Sequence, residues 1–370
     1  MHSAPPVLTD QFLDLLQRLP AGLDLDALAL ETKAIRRKRK IGNGASLLRL
    51  ALARGPGGLS LRQTSGWTSL VDIPALSNPG VHYRLKQAEP FLAALVERLL
   101  AAKAPGVHLR WPGRMLCLAD STSISQPGSL GTDWRVHGVF DLGRGGFSHL
   151  AVTDVHGAEA LDRGAPVAGE IRIGDRNYAR VPVLRRFLAA ADRTVDFIVR
   201  LGWNALRLST PDGTPFDLIG YLQSLPDTMT AHQQALHAAG ARGEAALAVR
   251  LIVLRKTAEA TEATRVALRR AAIKKGKQLD PRSLIAAAFM IVATSLPEVG
   301  YAAEEILAAY RLRWQIELAF KRLKSQLHID RLPTHTERTS RSWLYAHLIL
   351  ALLCDDLSQD FLESSPSGPA

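Results

Sequence analysis

Cysteine is nearly absent from this sequence of 370 residues, which holds only Cys117 and Cys354. Both lie in apolar runs, so we expect buried, reduced thiols rather than a disulfide framework. The CxxC, HExxH and clustered Cys/His patterns that bind zinc are also missing. These absences argue against a disulfide scaffold and against a zinc site.

The sequence also shows no apolar run of membrane-spanning length. The run at residues 343–353 contains His347 and is shorter than the roughly 20 residues that a membrane helix needs. Residues 1–6 show no charged segment leading into an apolar run, so no signal peptide is apparent. We therefore expect a cytoplasmic protein without a membrane partner, in which residues 343–357 form a buried helix used for packing or for dimer contact.

Acidic residues are too few to balance the basic ones. The chain has 46 Lys+Arg against 35 Asp+Glu, a formal net charge of +11, and a pI near 9.9. This excess indicates a polyanionic partner, nucleic acid first and an anionic membrane second. A hydrophobic content of 47% with 22% charged residues is typical of a globular protein with a sizeable core. The length suits two or three domains, or one large domain with an insertion.

Residues 303–324 are predicted to form one helix, because they contain no Gly or Pro and many strong helix formers. At about 100° per residue, one narrow stripe collects four side chains: Tyr310, Arg313, Glu317 and Lys324. The opposite side has the period of a buried face and carries Leu312, Ile316, Ala319 and Leu323. One side of the helix is thus expected to pack while the other presents polar groups.

The polar stripe is about 21 Å long at about 1.5 Å per residue. That length exceeds one small ligand and suits an extended polyanion, with cations and a tyrosine on its phosphates and a carboxylate on a metal ion. The alternative is a solvated face with favourable Glu/Lys and Glu/Arg pairs. The stripe by itself leaves both interpretations open.

The spacing Tyr310-x2-Arg313-x3-Glu317-x6-Lys324 resembles the YREK signature of the DDE transposases of bacterial insertion sequences, in the group named after insertion sequence four. In that family the glutamate is the third member of a catalytic Asp-Asp-Glu triad. The resemblance extends over roughly residues 110–355. It implies an enzyme that cuts and joins DNA, and two aspartates that complete the site.

The middle of the chain is rich in predicted strands. Residues 115–119 lead to Asp120, residues 134–141 and 148–154 flank a Gly-rich turn, and residues 170–174 lead to Asp175. A helix at about 183–191 and a strand at 195–201 follow. Three antiparallel strands, a helix, a fourth strand, a helix and a fifth strand is the order of a ribonuclease H-like sheet, although the first of these helices is barely visible. In that fold the first and fourth strands are neighbours, so carboxylates after their ends should meet.

Asp120 and Asp175 are therefore the candidates that join Glu317 in the triad. Their contexts, Asp-Ser-Thr and Gly-Asp-Arg-Asn-Tyr, resemble those of the family. Aspartates after strands also commonly cap turns, which is the competing structural role for each one alone. Carboxylates suit Mg2+, and Mn2+ is expected to substitute for it. Covalent catalysis by Ser121, Ser123 or Ser125, as in a serine recombinase, has no accompanying signature.

The resemblance also implies DNA contacts around the triad. Arg313 and Lys324 would neutralise phosphates, Tyr310 would hydrogen-bond one, and Trp314 would stack on a base flipped from the DNA. The family often has a second aromatic on the strand that enters this helix, where the present chain has Met290. Further candidate contacts are Lys321, Arg176 and, in a possible helix-turn-helix, Arg84 and Lys86.

The predicted fold is α/β: a ribonuclease H-like mixed sheet with flanking helices, interrupted by a β-containing insertion, plus an all-α N-terminal DNA-binding region. Five segments are expected, namely the N-terminal region 1–105, the first part of the catalytic domain 110–204, the insertion subdomain 205–285, the second part with the YREK helix 286–335, and a C-terminal helix and tail 336–370.

The predicted partners are double-stranded DNA at the terminal inverted repeats and at the target, and a second copy in a synaptic homodimer in the nucleoid. Two alternatives remain. One is a ribonuclease H-like nuclease that joins no ends, and the other is an inactive DNA-binding protein descended from a transposase.

Overall fold

The computed structural model describes residues 12–36, 40–71, 73–102, 111–190, 194–240 and 243–363. The described part of the N-terminal region contains helices and no strand. Its helices are α1 (Phe12–Gln17), α2 (Leu25–Glu31), α3 (Gly44–Arg54), α4 (Leu61–Trp67) and α5 (Asn78–Ala102). A turn at residues 20–22 separates α1 from α2.

Polar caps define the starts of these helices. Asp24 accepts hydrogen bonds from two backbone N–H groups of α2, and Asn43 accepts one from α3. Ser60 and Gln63 form a reciprocal capping box at α4. α5 begins at Asn78 and buries a long apolar face that runs from Val81 to Leu100.

A single nine-stranded sheet forms the centre of the molecule. Its strands are β1 (Met115–Ile124), β2 (Trp134–Asp141), β3 (Gly146–Asp154), β4 (Glu170–Gly174), β5 (Asp196–Arg200), β6 (Leu208–Ser209), β7 (Ala231–Ala238), β8 (Leu247–Arg255) and β9 (Phe289–Thr294). They lie in the order β3-β2-β1-β4-β5-β9-β8-β7-β6. β1, β4 and β5 are mutually parallel, and the other neighbours are antiparallel. The predicted pairing of the first and fourth strands is confirmed.

Two sequence expectations about this sheet are wrong in detail. β1 does not end before Asp120 but continues to Ile124, because β2 pairs with it along residues 117–124. No helix joins β3 to β4, and the described residues 155–169 form turns instead.

The insertion adds strands to the same sheet instead of building a separate one. β8 pairs with β9, and β7 pairs with β8, so the segment 205–285 extends the sheet on the side of β5. The rest of this segment is helical and turn-rich.

Helices cover both faces of the sheet. After β4 come α6 (Val181–Ala189), α7 (Leu218–Ser224), α8 (Ala258–Lys274), α9 (Pro281–Ala286), α10 (Ala303–Arg311), α11 (Trp314–Leu327) and α12 (Glu337–Glu363). Alternate residues of each strand face opposite layers, as Ile198 and Phe197 of β5 do. One layer contains α10, α11, α12 and the N-terminal helices, and the other contains α6 and α7.

The N-terminal region shares its core with the central sheet. α5 packs along α12 and contacts β3, and Ser342 of α12 donates a hydrogen bond of 2.7 Å to the carbonyl of Leu85. The domain boundaries proposed from the sequence stay a prediction, and the boundary near residues 104–106 falls outside the described residues.

The helix expected over residues 303–324 is two helices. Leu312 and Arg313 form a 3₁₀-type turn between the two helices. In this turn the N–H of Arg313 donates a hydrogen bond of 3.1 Å to the carbonyl of Tyr310, three residues earlier. α10 contacts β5 and β7, whereas α11 contacts β1 and β2. Because a sheet twists by about 20–25° per strand, one straight helix cannot follow both pairs of strands.

None of the described helices is both long and apolar enough to cross a bilayer.

Candidate active site

The two aspartates lie side by side on neighbouring parallel strands. Leu118 of β1 is paired with Ile173 of β4, so the same register continued by two residues sets Asp120 beside Asp175. Asp175 directly follows β4, and its carboxylate accepts a hydrogen bond of 2.7 Å from the N–H of Asn177. The expected meeting of these two carboxylates therefore agrees with the sheet.

A glycine allows α11 to approach Asp120. Gly138 of β2 is paired with Asp120 in the antiparallel ladder. A side chain at position 138 would therefore point to the same face of the sheet as the side chain of Asp120. A Cβ on Gly138 would lie 2.7 Å from the ring of Phe147 and 2.9 Å from the ring of Phe320. Phe320 lies one turn after Glu317 on α11, and the missing side chain thus sets the height of that helix above the strands.

Arg313 joins two of the three carboxylates. One of its guanidinium nitrogens, Nη1, lies 3.3 Å from Oδ2 of Asp120, and the other, Nη2, bonds Oε1 of Glu317. Asp120 and Arg313 are mostly buried, whereas Glu317 is half exposed. A cation placed between two convergent carboxylates marks this point as one that binds positive charge.

The pKa of Asp120 is raised to about 6. Burial is the main cause, because it disfavours the charged carboxylate, and the nearby charges of Asp175 and Glu317 raise the pKa further. The N–H of Ser121 and the guanidinium of Arg313 act in the opposite direction. The three acids are therefore close enough to influence one another electrostatically.

The donor set suits a hard divalent cation, since all three groups are carboxylates. Within the described ranges, no three His, Cys, Asp or Glu side chains are grouped tightly enough to hold one ion as they are placed. Arg313 occupies the position between Asp120 and Glu317. A bound cation would take over the charge neutralisation that this guanidinium provides.

The cations predicted on α11 lie along a cleft of about 630 Å³ beside Asp120 and Glu317. Lys321 and Lys324 line this cleft, and Nζ of Lys324 donates a hydrogen bond of 3.2 Å to the carbonyl of Ser123 on β1. Arg331, which the sequence analysis did not select, also lines it. A volume of this order fits a nucleotide-sized group rather than an ion alone.

The other predicted contacts are placed differently. Tyr310 is 5% exposed and belongs to the core, so the proposed exposed stripe is wrong for this residue. Trp314 is 50% exposed at the first position of α11. Arg84 and Lys86 lie on α5 and are absent from the lining of the cleft.

Tyr310 is buried because α10 packs against the sheet before the chain tightens at residue 312. Burial raises the pKa of its hydroxyl, and the neighbouring Arg313 and Arg200 lower it. The Tyr310 hydroxyl and the Arg313 guanidinium are therefore close enough to shift each other's pKa.

Glu159 is a site residue that was not predicted from the sequence. Its carboxylate accepts hydrogen bonds of 2.6 Å from Oγ of Ser121 and 2.9 Å from Nδ2 of Asn177, and it pairs with Arg135 at 3.3 Å. Ser121 follows Asp120, and Asn177 comes two residues after Asp175, so Glu159 ties the two aspartate segments together. It comes from the turns of residues 155–169, where no local sequence signal identifies it.

We predict that Gly138→Ala reduces DNA cleavage by about 100-fold, because the added Cβ pushes Phe320 and moves Glu317 by a fraction of an ångström to an ångström. The cost in free energy of unfolding should stay at about 1–3 kcal/mol. Cleavage rate and urea denaturation are measured on the same preparation.

Gly131→Ala is the matched control, because a Cβ at Gly131 meets nothing within 4 Å. It should retain wild-type cleavage. Full activity in Gly138→Ala would contradict the view that this glycine sets the position of α11.

The protein is thus a mixed α/β protein whose sheet carries Asp120 and Asp175 on neighbouring parallel strands, with Glu317 linked to Asp120 through Arg313. Residues 111–353 match the family model described as a transposase DDE domain. The chain belongs to this family, the DDE transposases of bacterial insertion sequences, which are enzymes that cleave and join DNA. Such transposases use divalent metal ions.

Known relatives cover nearly the whole chain. It is 37% identical over 359 residues, 96% of each chain, to the putative transposase InsL for insertion sequence element IS186A of Escherichia coli strain K12. It is also 37% identical over 360 residues, 96% of each chain, to the transposase for insertion sequence element IS421 of Escherichia coli. Among solved structures, the piggyBac transposase synaptic complex with hairpin DNA matches with a TM-score of 0.39 and 8% identity, over 98% of this chain and 84% of that one.

Proposed function

We propose that this transposase binds the terminal inverted repeats of its own insertion sequence and catalyses metal-dependent strand cleavage and strand transfer at Asp120, Asp175 and Glu317. The observation that carries the proposal is the convergence at one sheet edge of Asp120 and Asp175, in adjacent register, with Glu317 bonded through Arg313.

Mg2+ is the proposed cofactor, with Mn2+ as a substitute, and when bound it would supply charge stabilisation at the phosphate being attacked. The three carboxylates would hold the cation. Water and then a 3′-hydroxyl of the DNA are the nucleophiles, so no covalent protein intermediate is needed. Asp120, with its raised pKa, must be deprotonated to act as a ligand.

The cations of α11 would hold the DNA backbone. Lys321 and Lys324 line the cleft beside Glu317 and would contact the phosphates next to the one being cut. Arg313 would turn from the carboxylates to a phosphate, and Tyr310 would act through Arg313. Arg176, Arg84 and Lys86 are further proposed DNA contacts.

The assembly is proposed to be a homodimer that synapses two DNA ends. The apolar residues 343–353 of α12 are mostly buried within the protomer, so they serve packing. Because the substrate is DNA, we expect the transposase in the cytoplasm, at the nucleoid.

A plasmid that carries the gene's own flanking DNA tests the proposal. Purified protein with Mg2+ should cut at both flanks, and the cut ends should then join target DNA. Random degradation would favour a nuclease without strand transfer, and binding of the flanks without any cutting would favour an inactive DNA-binding descendant.

We predict that Trp314→Ala leaves the first nick unchanged and slows the later steps by about tenfold or more. A base flipped from the duplex would lose its stacking platform, which is worth about 1–3 kcal/mol. The half-exposed indole contributes little to the core, so stability should change little. Time courses of nicked, fully cleaved and joined products measure the effect, and equal loss at every step would contradict base stacking.

A further inference from the structure

A second pocket, of about 330 Å³, opens at the same edge of the sheet as the carboxylates. Three cations line it and define what we call the cationic pocket. Arg176 follows Asp175, Arg200 ends β5, and Lys256 follows β8. The sequence analysis considered only the first of these as a DNA contact.

The topology fixes how far this pocket lies from the triad. β4, β5 and β8 run in the same direction, with β9 antiparallel between the last two, so their C-terminal ends share one edge. Three strand spacings of about 4.8 Å separate β4 from β8, or about 14 Å in all. DNA lying along this edge advances about 3.4 Å per base pair. Lys256 would thus meet the backbone about four base pairs from the phosphate at Asp175.

The positive charge in the pocket is not neutralised by protein carboxylates. No acidic side chain belongs to its lining. Neither Arg176 nor Arg200 forms an ion pair with a carboxylate in the described part of the chain. Lys256 is held only by neutral oxygens, at 2.9 Å from the carbonyl of Ala287 and 3.2 Å from Oγ1 of Thr264.

Burial lowers the pKa of Lys256, and the nearby charge of Arg200 lowers it further. Like charges gathered in a half-buried site repel each other, so the arrangement costs stability unless an anion occupies it. The amide group of Asn204 adds a neutral hydrogen-bond donor to the same lining. Such a set of donors suits an oxyanion.

Trp203, an aromatic residue in the lining of the pocket, already contacts neighbouring side chains. The guanidinium of Arg282 lies 4.3 Å from the centre of the Trp203 ring, and Nε1 of Trp203 donates a hydrogen bond of 3.0 Å to Ser283. The tryptophan therefore shapes the pocket, and the cations supply its recognition.

We propose that the cationic pocket binds a backbone phosphate of the DNA, within about four base pairs of the phosphate cut at the triad. The proposal rests on the proposed function, because it takes the DNA as bound across Asp120, Asp175 and Glu317. It makes Arg200 and Lys256 positioning residues that hold the duplex in register with the site.

The first test is a scan with neutral phosphate linkages. Single methylphosphonates are placed one at a time along a duplex oligonucleotide that carries one end of the element, and affinity is measured at fixed salt. For the wild type, one or two positions on one side of the cut should cost about tenfold in affinity. In Arg200→Gln and Lys256→Gln, a methylphosphonate at those same positions should reduce affinity much less than in the wild type. A methylphosphonate at any other position should reduce affinity as much as in the wild type.

The second test is the salt dependence of binding to the unmodified duplex. The slope of log affinity against log salt should fall by about 0.9 for each lost contact, and by about 1.8 in the double variant. Arg186→Gln is the matched control, because it removes one charge from α6, outside the pocket, and should keep both the wild-type slope and the wild-type scan.

Two further variants protect the interpretation. Lys256→Arg should restore the wild-type scan, and Arg200→Gln tests the pocket by itself if Lys256→Gln fails to fold. The proposal is overturned if Arg200→Gln and the double variant both keep the wild-type methylphosphonate scan and the wild-type salt slope. A reduced slope without any cutting by the wild type would instead overturn the proposed function and leave the phosphate site standing.

Discussion

Glu317→Gln should abolish cleavage, with a loss of about 1,000-fold or more in rate, while DNA binding is retained. The substitution keeps the size of the side chain but removes the charge that neutralises a cation at the site. A metal ion contributes several kcal/mol of charge stabilisation in the transition state, and each 1.36 kcal/mol corresponds to a factor of ten. Binding to the flanking DNA should hold or strengthen slightly, because one negative charge near the phosphates is lost.

Glu304→Gln is the matched control for this prediction. Glu304 lies exposed on α10, one helix earlier, and its replacement changes the net charge by the same amount. This control should cut at the wild-type rate in Mg2+. Full cleavage by Glu317→Gln would remove the glutamate from the active site and with it the assignment of the triad.

The sequence predicts well those elements whose boundaries are local. β2 and β4 match the expected ranges, because β2 is closed by the charged Asp141 and β4 by Gly174. The adjacency of Asp120 and Asp175 also follows from strand order, before any coordinates are known. The predicted proximity of Arg313 and Glu317 is also found, because they are one helical turn apart whether or not the helix continues before residue 313.

Tertiary contacts explain what the sequence does not predict. Nothing in residues 303–324 signals a break, since strong helix formers run without interruption, and the break arises from the twist of the sheet beneath. The burial of Tyr310 follows from that break. β1 continues beyond Asp120 because β2 pairs with it, although the polar residues 120–123 look like the start of a loop.

Glu159 shows a further limit. Its three partners lie 24, 38 and 18 residues away, for Arg135, Ser121 and Asn177. A carboxylate in a turn-rich segment is common in any sequence, and only the folded chain distinguishes this one.

Arg172→Met should lower the free energy of unfolding by about 3–5 kcal/mol, because it leaves Glu170 as a buried charge without its partner. Both side chains are at most 3% exposed, and Nε of Arg172 lies 2.6 Å from Oε1 of Glu170. Nη1 of Arg172 also bonds the carbonyls of Leu161, Arg163 and Gly164. Arg172 and Glu170 therefore hold residues 161–164 against β4, the strand that leads to Asp175.

Arg186→Met is the control that isolates burial, because Nε of Arg186 also lies 2.6 Å from a carboxylate oxygen, that of Asp162, but the arginine side chain is 61% exposed. This exposed pair should contribute less than about 1 kcal/mol. The double variant Glu170→Gln with Arg172→Met should recover part of the loss, since no buried charge remains. Urea denaturation of all four proteins measures the differences. Equal losses in Arg172→Met and Arg186→Met would show that the buried network contributes no more than a surface ion pair, and that β4 is held in place by its strand neighbours alone.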